Sequence, residues 1–307
     1  MIKMRSLRTK YLTVTAACVL AASTAAVGAE RGPAYTAIDI PGATLTSAQG
    51  INSRGDIVGL YVDSSGTHGF VVRDGGFTKI DYPGAVYTDA RGVNARGEIV
   101  GAYKLLGEPS VNIHGYLLSK YGEFTPIDFP GHTNTIPQRI TSTGLILGCR
   151  HDTDTMATMR GVMINGRDTS EVAEIGAFAS MNNGSTPDGS LIVGLFTEMD
   201  TGKGRAYLLY GGETFIPFDV PGSVFTAGWD LNAKGEAVGV YRDATNKLFH
   251  GFLWKDLQFT SINYPAATAT RAFGINSRGA IVGAYVDAAG KTHGFVLSKE
   301  RDDDDDR

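Results

Sequence analysis

The chain spells nearly the same stretch twice, "GINSRGDIVGLYVDSSGTHGF" at residues 50–70 and "GINSRGAIVGAYVDAAGKTHGF" at residues 274–295. The two copies are the ends of a longer series. Three short patterns recur in fixed order, six times each. The first is "IDIPGA" (38–43), "IDYPGA" (80–85), "IDFPGH" (127–132), a divergent "AEIGAF" (173–178), "FDVPGS" (218–223) and "INYPAA" (262–267). The second is an Asn-x-x-Gly turn with an apolar follow-up, as in "GVNARGEIVG" and "DLNAKGEAVG". The third is "HGFVV", "HGYLL", "RGVMI", "RAYLL", "HGFLW" and "HGFVL". With Asn52, Asn94, Thr141, Thr186, Asn232 and Asn276 as markers, the steps are 42, 47, 45, 46 and 44 residues. A period of about 40 to 50 residues built from short strands points to the blades of a propeller rather than to a helical solenoid.

Each unit reads as four strands: in the first, "TSAQGIN", "DIVGLYV", "HGFVVRD" and "FTKIDYP". Asn-x-x-Gly joins the first strand to the second, where Gly supplies and Asn tolerates positive φ angles. The Pro after each "IDx" cannot donate to a ladder, which puts the fourth strand at the outer edge. The series begins on a fourth strand, "YTAIDIP", and ends on a third, "HGFVLSK". Neither end completes a unit alone, so the N-terminal strand is expected to join the last unit and close the ring, covering edges that an open array exposes. The fold class is therefore all-β, a six-bladed β-propeller of four-stranded blades over residues 30–299.

These residues resemble the "probable extracellular repeat" of the HAF type, in which a Gly-Ile-Asn-x-x-Gly-x-Val-Val-Gly stretch precedes a His-Ala-Phe strand. Here the tripeptide is His-Gly-Phe at His68, His250 and His293, and His-Gly-Tyr at His114. The resemblance covers roughly residues 34–299 and implies export and a repeat fold. It implies no activity and no site residues.

Residues 1–29 read as a cleaved signal peptide, with Lys3, Arg5, Arg8 and Lys10 ahead of the apolar run "YLTVTAACVLAASTAAVGA". Val27 and Ala29 are the small residues expected before cleavage at Glu30. Cys18 suggests lipoprotein processing instead, but "TAA" precedes it, without the Leu expected three positions upstream. The expected location is secreted or periplasmic, with no membrane span after the leader is removed. The formal charge of −4 includes +4 from the leader, which leaves −8, and half of that sits in the tail "ERDDDDDR" at 300–307. An acidic chain without a basic stripe argues against nucleic acid. The tail reads as a solvated, disordered segment.

The candidate ligand site is the central channel, where two positions of the innermost strand vary while the rest repeats. One carries Ser47, Asp89, Ile136, Met181, Ala227 and Arg271; the other carries Gln49, Arg91, Gln138, Asn183, Trp229 and Phe273. An asymmetric ligand demands such variation on a symmetric scaffold, and drift at exposed positions produces it too. Trp229 and Phe273, with Arg271, Asp89 and Arg91, can stack a sugar and hold its hydroxyls or carboxylate.

The repeated histidines read as structural partners of facing tyrosines (Tyr61 with His68, Tyr103 with His114, Tyr241 with His250, Tyr285 with His293), since four copies in separate blades cannot converge on one ion. In the third unit Arg150 faces Arg160, and Arg139 replaces the Gly before the turn. Facing arginines need an anion between them. It is either Asp152 or Asp154, or a carboxylate, sulfate or phosphate on a ligand. His132 and His151 depart from the repeat and are candidate general bases of a lyase-like site. Cys149 falls in an apolar slot and reads as an inert thiol.

No nucleophile elbow, His-Glu-x-x-His or Cys pair occurs. No metal site or cofactor is expected; Ca²⁺ is conceivable for a propeller but has no support in the residues. The sequence thus points to a monomeric binding module for polysaccharide or envelope material. Two other readings stand beside it, a propeller-type polysaccharide lyase or hydrolase and a protein adhesion or scaffold module.

Overall fold

The computed structural model describes residues 34–298 except 110, 153–155 and 173–175; the expected leader (1–29) and acidic tail (300–307) lie outside the described residues. Strand β1 (Ala34–Ile38) comes first. It is followed by a unit of β2 (Leu45–Ile51), β3 (Ile57–Asp63), β4 (Gly66–Arg73) and β5 (Gly76–Ile80). In the second unit the inner strand is split into β6 (Ala85–Thr88) and β7 (Gly92–Val93), ahead of β8 (Ile99–Leu105), β9 (His114–Leu118) and β10 (Phe124–Ile127). The third contains β11 (Asn134–Ile140), β12 (Ile146–His151), β13 (Arg160–Asn165) and β14 (Asp168–Val172). The fourth contains β15 (Ala177–Ser185), β16 (Leu191–Glu198), β17 (Gly204–Tyr210) and β18 (Thr214–Phe218). The fifth contains β19 (Ser223–Leu231), β20 (Ala237–Asp243), β21 (Phe249–Lys255) and β22 (Gln258–Ile262). The last has only β23 (Ala269–Ile275), β24 (Ile281–Val286) and β25 (Thr292–Ser298).

Within each unit the strands pair antiparallel in chain order, and the missing fourth strand of the last unit is β1, which lies antiparallel to β25 with Tyr35 opposite Leu297. Tyr35 also packs against Phe295 of the last unit and against Tyr264, just after β22 of the fifth, at ring-centroid distances of 5.8 and 5.2 Å.

Alternation along the third strand explains the His-Gly-Phe pattern. Phe70, Tyr116, Tyr207, Phe252 and Phe295 are fully buried between units. Each such ring lies over a glycine of the second strand; a Cβ on Gly59 would sit 2.7 Å from the Phe70 ring and 2.1 Å from the Ser47 carbonyl. The histidine beside the buried ring faces its tyrosine in the expected register. Ring-centroid separations are 5.2 Å for Tyr61–His68 and 5.0 Å for Tyr285–His293.

The Nδ1 of each of these histidines bonds elsewhere, to the residue at the acid position of the "IDxPG" pattern. His68 Nδ1 is 2.7 Å from Asp81 Oδ1, His114 Nδ1 is 2.9 Å from Asp128 Oδ1, and His293 Nδ1 is 2.7 Å from Asp39 Oδ1. Where one member changes the contact is kept, with Asn263 in the acid position beside His250 and Arg205 in the histidine position binding Asp219. Two separate sequence patterns are thus one tie between the third and fourth strands.

The Asn-x-x-Gly turns also do more than turn. Gly55 takes φ 97°, as expected, whereas Asn52 is not left-handed. The Asn52 side chain instead accepts from the Arg54 and Asp56 amides and donates to Asp56 Oδ2 and to the Asn94 carbonyl of the next unit, at 3.0 Å. Asn94 reaches Thr141 O, Asn232 reaches Asn276 O, and Asn276 reaches Asn52 O. The last of these bonds links the final unit to the first.

Candidate functional site

A side-chain alternation of two places one residue in every other position on the axis side, but the inner strands carry β-bulges just before their turns. The register shifts between Ala48 and Gly50, Pro137 and Arg139, Asn182 and Gly184, Gly228 and Asp230, and Ala272 and Gly274. The residues left out of the ladders are Gln49, Gln138, Asn183, Trp229 and Phe273, which with Arg91 in the split second unit form one of the two variable sets. A bulge bends the strand and re-aims the extra side chain; here it turns those residues about the axis.

They do not all meet. A cavity of about 400 Å³ is lined by Gln49, Leu60, Arg91, Leu195, Phe225, Ala227, Trp229, Val240, Phe249, Arg271 and Phe273. Gln49, Arg91, Trp229, Arg271 and Phe273 are therefore brought together. Trp229 and Phe273 stand edge to face, 5.0 Å apart at 77°. Phe225 and Phe249 continue the aromatic wall, also edge to face. Neither was evident from the repeat, because both lie outside the two columns that vary most.

The other channel candidates lie behind this wall. Asp89 is fully buried: Oδ1 accepts from the Ala102 amide, and Oδ2 accepts from Tyr87 and from Arg91 Nε at 2.9 Å. It supports Arg91 rather than facing a ligand. Gln138 is buried beneath Arg91, whose Nη1 is 3.3 Å from Gln138 Oε1. Asn183 is buried and donates to the Gly228 carbonyl. Ile136 and Met181 pack with Cys149, Met159 and Ala179. They fill the third- and fourth-unit side of the axis, which leaves the cavity offset toward the small Ala227.

Behind the backbone of Gln49, Arg91 and Phe273, which line the cavity, lies a buried ion pair. The residue two before the turn marker is Gly50, Gly92, Arg139, Gly184, Asp230 and Gly274 in successive units. At the glycines the inner strands nearly touch; a Cβ on Gly50 would lie 2.5 Å from the Arg91 carbonyl, and one on Gly184 2.5 Å from the Asp230 Cα. Arg139 and Asp230 are the two side chains admitted. Arg139 Nε is 3.3 Å from Asp230 Oδ2, and its Nη atoms donate to the carbonyls of Arg91, Gln138, Gln49 and Phe273. Burial raises the Asp230 carboxyl pKa, and Arg139 opposes that shift. Beyond the pair lies a second cavity of about 100 Å³, lined by all six turn markers from Asn52 to Asn276 and sharing no residue with the first.

The electrostatics of the larger cavity are uneven. Arg91 is neutralised by Asp89, with Nη2 2.7 Å from Oδ2. Arg271 has no ion pair or hydrogen bond among the described residues. Its guanidinium carbon lies 4.8 Å from the Phe249 ring centroid, and desolvation lowers its pKa.

Arg150, Arg160, His132 and His151 do not line this cavity. Arg150 and Arg160 face each other as expected. The anion beside Arg150 is Glu171 on β14, bound through Nε and Nη2 at 2.7 and 2.8 Å, whereas Asp152 Oδ2 is 3.8 Å from Nη1. Asp152 is thus the outer of two carboxylates at Arg150, its Oδ1 bound to His132 Nδ1 at 2.7 Å, and Glu171 is the closer one, which the sequence did not single out; Asp154 lies outside the described residues. The Arg150 bond holds the Glu171 pKa low, as the His132 bond does for Asp152. Arg160 donates to the carbonyls of Ala157, Met159 and Phe178. His151 lies opposite Asn134 in the third unit. Among the described residues, no group of three His, Cys, Asp or Glu is placed to hold a metal ion, and no helix is long and apolar enough to cross a membrane.

No family model and no curated protein matches the sequence. Solved structures do. A gluconolactonase from Xanthomonas campestris superposes with a TM-score of 0.53 at 14% identity, over 96% of this chain and all of that one. TolB from Acinetobacter baumannii gives 0.55 at 13% identity, over 81% of this chain and 65% of that one. The β-propeller domain of the trilobed protease from Pyrococcus furiosus gives 0.52 at 10% identity, over 84% and 95%. At such identities the likeness shows the fold alone, and that fold is the β-propeller.

Proposed function

We propose that the protein is an exported six-bladed β-propeller, closed by β1 on the last unit, that binds a saccharide or envelope component in its axial cavity. The blade count and closure are supported by the six turn markers around one small cavity and by the pairing of β1 with β25. Export is supported by the leader-like N-terminus and by the likeness to HAF-type extracellular repeats.

The observation that carries the binding reading is the convergence of Trp229, Phe273, Arg271, Arg91 and Gln49 in one cavity, from positions that vary while the scaffold repeats. Aromatic faces stack on the apolar face of a sugar ring, and a few converging polar groups fix its orientation. A lyase or hydrolase needs an acid and a base beside the scissile bond. The residues lining this cavity include no His, Asp, Glu, Ser or Cys, which favours binding over turnover. The gluconolactonase superposition carries no activity at 14% identity.

The test is intrinsic fluorescence and thermal shift of the chain from residue 30 onward against neutral and acidic mono- and oligosaccharides, with product analysis in parallel. Saturable quenching and a raised Tm, both lost in Trp229→Ala, are expected. Formation of new reducing ends or of an unsaturated uronate overturns the binding reading in favour of an enzyme. Absence of any saccharide response overturns the saccharide itself.

A further inference from the structure

Three arginines surround the axis, and their counter-charges differ. Arg139 has Asp230 and Arg91 has Asp89. Arg271, on the cavity wall, has no carboxylate among the described residues and rests on the Phe249 ring. Arg242 lies 5.9 Å from that same ring but outside the cavity, and it adds a second cation to the neighbourhood rather than a counter-charge. Withdrawing a charge from water without a partner is costly. The chain bears that cost at one wall position and avoids it at the two others. The cavity lining therefore carries one unmatched positive charge.

We propose that the natural ligand is a monocarboxylate, a uronic acid or uronate-terminated saccharide in the reading given above, on which this inference rests. The ligand's carboxylate pairs with the Arg271 guanidinium, for which the planar fork offers two parallel N–H donors. Its ring lies against Trp229. Arg91, already neutralised, serves as a hydrogen-bond donor to a hydroxyl and not as a second charge. The arrangement discriminates in both directions. A neutral sugar leaves Arg271 desolvated and unpaired, and a dicarboxylate brings a second negative charge for which the wall holds no free cation.

The measurement is calorimetric or fluorescence binding of glucuronate, its methyl ester, glucose and glucarate to the wild type and to Arg271→Gln. Because Arg271 makes no ion pair or hydrogen bond among the described residues, the variant is expected to melt close to the wild type. Glucuronate should bind the wild type about tenfold to a hundredfold more tightly than its methyl ester. Glucarate should bind no more tightly than glucuronate, and Arg271→Gln should erase the preference over the ester. If glucuronate and its ester bind the wild type alike, or the variant keeps the preference, the monocarboxylate inference fails while saccharide binding stands. If no sugar binds but benzoate binds in preference to benzyl alcohol through Arg271, the charge assignment stands and the saccharide reading fails. If none of these probes binds, both fail.

Discussion

Arg139 Nε and Asp230 Oδ2 lie 3.3 Å apart on the axis, contributed by the third and fifth units from a repeat position that is glycine in the other four. The pair lines the smaller cavity, and Arg139 also satisfies carbonyls of the first, second and last units through Gln49, Arg91 and Phe273. One side chain therefore ties together strands that are far apart in sequence.

Removing either partner leaves a buried charge uncompensated. Arg139→Gly and Asp230→Gly are each expected to cost about 3 to 5 kcal/mol, while the double variant, with glycine at all six positions, should recover part of the summed loss. Urea denaturation of the four species measures this as a cycle; strictly additive losses would show that the two side chains act independently.

His114 supplies a pH test. Burial lowers its pKa, and the hydrogen bonds to Glu108 and Asp128 outweigh that effect, so the folded value lies above the ordinary histidine range. The sign follows from linkage: the stabilisation is complete below the unfolded-state pKa, about 6.5, and is lost as pH rises through the higher folded value. The Tm gap between wild type and His114→Gln should therefore be widest near pH 5 and shrink into the alkaline range. A gap that is constant or grows with pH refutes the charged-histidine account.

Removing residues 34–41 takes away β1 and its acid, Asp39, exposing the edge of β25 and leaving His293 without its 2.7 Å partner. The truncated chain is expected to lose its single cooperative melting transition and to self-associate through the open edge. Gel filtration and differential scanning calorimetry check both consequences. An unchanged, monomeric melting profile would mean that β1 is dispensable.

Much of this arrangement was legible in the sequence because the repeat repeats physical requirements. Strand lengths, the Tyr–His register and the pairing of β1 with the last unit follow from where Gly, Pro and the apolar alternation fall. The site was only half legible. Variation singled out Trp229, Arg271 and Phe273, yet alternation cannot show a bulge, so Gln138 and Asn183 read as channel residues although their side chains are buried. Asp89 looked like a ligand contact because the repeat does not show that Arg91, two residues on along the same face, closes over it. The exchange of Gly for Asp230 was visible in the same column as Arg139, but only proximity across the axis reveals the two as a pair. Glu171 gave no signal at all, since it reaches Arg150 from two strands away.

The pairing of Asp39 with His293 spans 254 residues, which sets the timetable on which the molecule can be finished. β1 emerges first, from the ribosome or across the membrane, and its partner last. Units between them can form by local hairpin contacts in the meantime, but the strand that completes the last one must wait unpaired. The slow, non-local step thus comes last, and a chain cut short anywhere before β25 retains an unpaired strand that quality-control proteases can engage.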